Sequence, residues 1–127
     1  MLDGAALEPL FDESQIDLLR DALGEDELRE MFADLPQSAR RSLETIQAAV
    51  EGCDLDQARR EAHVLKGVAG SFGAARLSSI ARAIELELPS VACIAQSIPL
   101  LIAAVGDTCA ALPGKAGETK DVGGAAG

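Results

Sequence analysis

The 127-residue chain has no tryptophan, no tyrosine and only three phenylalanines. Its core must therefore come from alanine, leucine, isoleucine and valine. No stretch alternates β-branched with polar residues, which removes the pattern of a half-buried strand and, with the abundance of alanine, favours an all-α fold. Histidine occurs once. The three cysteines, Cys53, Cys93 and Cys109, contain no CxxC pair, so with one histidine they offer no zinc spacing, and their odd number makes no complete disulfide framework. Each reads as a reduced, partly buried small residue. Basic residues are also scarce, 11 against 21 acidic ones for a net charge of −10, which argues against nucleic acid as a partner. The most apolar segment, VACIAQSIPLLIAAV, is interrupted by Gln96, Ser97 and Pro99 and falls short of the ~18 uninterrupted residues of a membrane span. Met1 to Leu10 holds neither a basic segment nor an apolar run, so no signal peptide and no membrane contact are expected, and the expected location is the cytoplasm.

What the chain does have is one unusual stretch, Ala58 to Leu88. Leu55, Ala58, Ala62, Leu65, Ala69 and Phe72 recur at intervals of three and four, a single apolar stripe. His63 lies more than about 90° from the centre of that stripe. It shares its outward face with Asp56, Arg59, Arg60, Lys66, Gly67 and Gly70. An exposed glycine inside a helix costs about 1 kcal/mol against alanine. Gly67 and Gly70 instead leave a smooth surface beside the imidazole, open to a second macromolecule, although Gly70 could equally loosen the helix before its end. After Gly73 a second stripe begins with Leu77, Ile80, Ala81, Ile84 and Leu88. If the two helices fold into an antiparallel hairpin about Ala74, positions symmetric about that residue lie side by side. His63 is then level with Glu85, whose carboxylate could fix the ring's tautomer and leave the other nitrogen nucleophilic. On spacing alone, an ordinary solvated glutamate fits equally well.

The remaining chain fills out a bundle. Asp12 and Gln15 resemble a capping box opening a short helix that carries Ile16, Leu19 and Leu23 and stops at Gly24, a lid over one end. Glu25, Asp26 and Glu27 open a long helix whose stripe, Leu28, Met31, Phe32, Leu35, Ala39, Leu43, Ile46 and Val50, ends at Gly52. Pro36 inside it should bend it or break one turn. A last helix follows Pro89 and Ser90 with Val91, Ile94, Ala95, Ile98, Leu101, Ile102, Val105 and Cys109. The expected architecture is an antiparallel four-helix bundle with a short additional N-terminal helix. It divides into an N-terminal extension at 1–11, the bundle at 12–112 and a disordered Gly/Ala-rich tail at 113–127.

The segment AHVLKGVAGSFGAARL resembles the signature of histidine-containing phosphotransfer (HPt) domains, the His-x-x-Lys-Gly modules of bacterial two-component phosphorelays. The likeness runs in register from Ala62 through Gly73 and Ala74 to Leu77, and in helix order over roughly Asp12 to Leu112. It implies that His63 accepts a phosphoryl group from a receiver-domain aspartate and passes it to another response regulator. Lys66 would neutralise phosphate oxygens, Glu85 would orient the ring, and Gly67 and Gly70 would admit the partner. The implied partners are receiver domains and a hybrid histidine kinase. The chain would be a monomeric phosphocarrier rather than an enzyme with its own ATP site, since it holds no P-loop and no kinase glycine motif. It would need no cofactor, any Mg2+ belonging to the receiver. Between Arg59 and Arg82 five cations (Arg59, Arg60, Lys66, Arg76, Arg82) face one acid, Glu61, a local net of +4 on an acidic protein. Arg59, Arg60 and Arg76 are accordingly expected to meet an acidic partner surface, although Arg59 and Arg76 could equally serve only to solubilise their helices, as Arg82 is expected to do. Two alternatives stay open: direct phosphorylation by a kinase from ATP, and a helical adaptor that carries no phosphate.

Overall fold

A computed structural model describes residues 3–115. Six helices follow one another, α1 (Asp3–Ala6), α2 (Glu13–Leu23), α3 (Glu25–Glu51), α4 (Leu55–Ser71), α5 (Ala75–Leu86) and α6 (Val91–Lys115), and no strand occurs among the described residues. Helices α3 to α6 pack in a ring, each on its chain neighbour, with α6 closing back on α3. The core is aliphatic. Leu28, Leu35, Ile46, Leu65, Leu77, Ile80, Ile84, Ile94 and Leu101 are essentially inaccessible. Buried alanines at 39, 58, 62, 69 and 81 let the helices approach closely.

Helix α3 runs unbroken through Pro36. A proline inside a helix costs about 3 kcal/mol. Here Phe32 and Leu35 before it and Ala39 after it are all buried on one face, and that packing keeps the two halves in line. Phe32 also meets Phe72 edge-on, with ring centroids 5.9 Å apart. At the far end of α3 the left-handed residue is Cys53 (φ 55°), not Gly52, whose φ is −86°.

Helix α2 forms the expected lid, with different wiring. Asp12 caps it by accepting from the Gln15 backbone N–H at 3.2 Å. The Gln15 side chain does not complete a capping box; it reaches across to donate to the Gly70 carbonyl at 2.5 Å. The Asp12 N–H donates to the Gly73 carbonyl at 2.8 Å, and Ile16 is buried against Gly73. On its other side Arg20 bonds the Lys115 carbonyl at 2.7 Å, Lys115 pairs with Glu13, and the Lys115 ammonium sits over the Phe11 ring. The lid therefore ties the α4–α5 turn to the end of α6.

Several expectations need correction. The N-terminal extension contains α1, which packs on α5, and it ends at the buried Phe11. The inner face of α6 is Ile94, Ser97, Leu101, Ala104, Val105, Thr108 and Leu112, which leaves Ala95 and Ile102 exposed. Ser97 enters the core because its hydroxyl donates to the Ile94 carbonyl at 2.7 Å, so this hydroxyl is not buried bare. Neither Pro99 nor Pro113 ends α6, which extends into the expected tail as far as Lys115. The rest of that tail, 116–127, lies outside the described residues. By length and composition α6 is long and apolar enough to cross a membrane; its inner face is spent on α3 and α5.

Gly73 reports on the lid. Its φ is +73°, and a Cβ there would lie 3.0 Å from the Ile16 side chain. Gly73→Ala is expected to destabilise the protein by more than about 1 kcal/mol in denaturant melts. An unchanged midpoint would contradict the docking of α2 on this turn.

Candidate functional site

Helix α4 carries His63 near its middle. The helix starts cleanly because Asp54 caps it, accepting from the Gln57 N–H at 3.0 Å. The Ala58–Ala62–Leu65–Ala69 stripe fixes its rotation and turns His63 to solvent, where 64% of the side chain is accessible. The hairpin register does the rest. Nδ1 of His63 lies 2.8 Å from Oε2 of Glu85 on α5. A carboxylate can only accept, so Nδ1 carries the hydrogen and donates it. In the neutral ring this tautomer leaves the lone pair on Nε2, at the far side.

Glu85 serves two partners. Its other oxygen, Oε1, is 2.9 Å from the Lys66 ammonium, one turn after His63 on α4. The carboxylate is largely enclosed, with 18% of the side chain accessible against 29% for Lys66. The Lys66 ammonium is the main reason its carboxyl sits below the usual value; desolvation pushes the opposite way, and His63 adds to the lowering. Ser78, on α5, donates to the Lys66 carbonyl at 3.1 Å and braces the same turn.

The glycines differ in role. A Cβ at Gly67 would meet nothing within 4 Å, so the surface beside the imidazole is open there. Gly70 is half-buried, lies against Ser78 and gives its carbonyl to Gln15, so it seats the lid and α5 rather than an open face. The expected cationic patch is likewise redistributed. Arg59 donates to the Leu88 carbonyl at 3.0 Å, and Arg76 donates to the Glu8 carbonyl at 2.9 Å. Arg82 pairs with Glu87 at 3.3 Å. A count ending at Arg82 omits Glu85, which the hairpin sets against Lys66, and Glu87, which pairs with Arg82 at the end of α5. Arg60 remains exposed on the His63 face, bonded to Gln57. The residues that sequence reasoning missed, Ser78 and Gln15, are small polar groups whose only signal is the helix register. Among the described residues no group of three or more His, Cys, Asp or Glu could hold a metal ion.

The site is thus an exposed histidine on α4 with one ring nitrogen engaged by a carboxylate from α5. The Hpt domain family model matches residues 27–112. The chain belongs to the Hpt domain family. Searches among curated proteins and among solved structures returned no match. Hpt domains are helical bundles that act in histidine phosphotransfer in two-component systems, as phosphocarrier modules that interact with receiver domains and kinases. The match begins in the first turn of α3 and ends with the core residue Leu112, so it covers the ring of four helices and leaves α1 and the α2 lid outside.

A group whose carboxyl is held low in the folded protein stabilises it above the ordinary value of 4.5, and loses that contribution as pH falls through the lowered value. Wild type should therefore exceed Glu85→Gln in denaturant stability at about pH 7, with the gap shrinking towards about pH 3. A gap that is constant over that range would contradict the charged Lys66–Glu85–His63 cluster.

Proposed function

We propose that His63 is the phosphoacceptor, that its Nε2 takes a phosphoryl group from a receiver-domain aspartyl phosphate, and that it passes the group to the aspartate of another response regulator. The observation carrying this reading is the 2.8 Å contact between Nδ1 and Glu85, which commits one nitrogen and frees the other on an exposed ring. In the transfer the Nε2 lone pair attacks phosphorus, the P–O bond to the aspartate breaks, and the aspartate leaves as a carboxylate. Nδ1 keeps its proton, and Glu85 balances the positive charge that develops on the ring. Reversal onto a second aspartate restores the starting state. Such transfers need in-line positioning and charge neutralisation more than covalent help from the protein.

Lys66 supplies the nearby cation. In the unphosphorylated protein its charge is shared with Glu85, and an arriving phosphoryl group competes for it. Gly67 gives the partner room to bring its phosphate within reach. Arg60 and the exposed Val64, half accessible, flank the histidine on that face. No cofactor is invoked on this chain; Mg2+ would reside with the receiver. The carrier is proposed to work as a monomer in the cytoplasm between a hybrid histidine kinase and its regulator. A second donor, a kinase acting directly from ATP, is favoured by one observation: the partner of His63 is a carboxylate rather than a neutral amide.

The test is transfer from a phosphorylated receiver to the purified protein. The wild type should acquire a label that is lost in acid and stable in base, and His63→Gln should acquire none. Lys66→Ala should slow transfer by roughly tenfold or more, the scale of one hydrogen bond to a charged group. Label on His63→Gln, or a folded wild type that takes no label from any receiver or kinase, would overturn the reading and leave a phosphate-free adaptor.

A further inference from the structure

Glu85 occupies a precarious position. It lies in the last turn of α5, which is the shortest of the four bundle helices at 12 residues. That helix has no side-chain cap at its start and no basic residue in its last turn. Terminal turns of helices fray because their last carbonyls lack intrahelical partners. Pro89 follows soon after and cannot continue the ladder. Yet the site requires the Glu85 carboxylate to hold its place to within a fraction of an ångström.

One side chain from the opposite helix secures that end. Arg59 lies one turn before His63 on α4, as Leu88 lies just beyond Glu85 on the returning chain. The Arg59 guanidinium donates through Nη2 to the Leu88 carbonyl at 3.0 Å. The side chain of Leu88 is buried, with 2% accessible, so the carbonyl it carries is itself anchored. Arg59 thus supplies from α4 the cation that α5 lacks at its own C-terminus, where positive charge is favourable. A charged donor to a carbonyl is also stronger than a neutral one. The groups facing His63 are Glu85 from α5 and Lys66 and Arg60 from α4; Arg59 touches none of the reacting atoms.

We infer that Arg59 is a positioning residue for the phosphoacceptor, acting through Leu88 and the last turn of α5 to keep Glu85 against Nδ1 of His63. The inference rests on the proposed role of His63, but its first readout needs no phosphate. In the wild type the Nδ1–H tautomer of His63 is enforced by Glu85. A loosened α5 end would let the ring revert towards the mixture of a free imidazole. Arg59→Met keeps the aliphatic stem and removes the guanidinium.

Ring nitrogen-15 NMR of the full chain is the experiment, followed by phosphotransfer rates in a double-mutant cycle. Arg59→Met should shift His63 away from the Nδ1–H tautomer with the helical circular dichroism unchanged, and Arg59→Lys should restore part of it. Transfer should fall by roughly threefold to tenfold in Arg59→Met, the scale of a misplaced reacting group. On a Glu85→Gln background the same change should cost nothing further. An unchanged tautomer in a folded Arg59→Met protein would overturn the inference, and so would a rate loss that persists undiminished on Glu85→Gln, which is the mark of an arginine that contacts the partner directly. Absence of transfer in every variant, alongside the tautomer shift, would instead count against the phosphoacceptor role alone.

Discussion

Everything in this molecule that bears on chemistry depends on the register of two helices, α4 and α5. A slip of one residue would turn Glu85 through about 100° and away from His63. The register is held by packing and by polar ties spaced along the hairpin: Arg59 to the Leu88 carbonyl at one end, Glu85 to His63 and Lys66 in the middle, and Ser78 to the Lys66 carbonyl towards the turn. Buried alanines and leucines supply the adhesion between the helices. The polar ties select one alignment among those that adhesion alone would permit.

The lid extends this logic to the turn. Helix α2 uses two hydrogen bonds to the Gly70 and Gly73 carbonyls, and Ile16 plugs the space beside Gly73. The turn's own N–H groups bond the last α4 carbonyls at Ala69 and Gly70, and the lid adds a further donor at Gly70, just where α4 hands over to α5. Because the family match starts at residue 27, this brace lies outside the matched bundle. Lys66 then stands between two demands. It favours the charged form of Glu85, and it is the cation proposed to meet a phosphoryl group on His63. The same side chain thereby links the resting site to the loaded one.

Much of this was readable from residues alone, for identifiable reasons. The apolar stripes of α3, α4 and α5 have clean helical spacing, and symmetry about Ala74 placed Glu85 level with His63. The stripe of α6 was read in a slightly wrong rotation because its composition is apolar all round. With alanines on both faces, periodicity cannot say which side is buried, and Ser97 and Thr108 on the inner face look like surface residues. The arginines failed for a different reason. A charge count treats Arg59, Arg76 and Arg82 as equivalent, whereas the fold sends two of them to backbone carbonyls and one to Glu87. Gly70 gains a contact of the same kind, since the lid half-covers an outward helix position. Long-range contacts made by single polar side chains leave no period in the sequence.

With Glu85 on Nδ1, the nitrogen proposed to react is Nε2. The most direct measurement is phosphorus and nitrogen-15 NMR of the phosphorylated protein, which identifies the ring atom bonded to phosphorus. A bond to Nε2 of His63, with Nδ1 still protonated, is the predicted result. Phosphate on Nδ1, or on any residue other than His63, would contradict it.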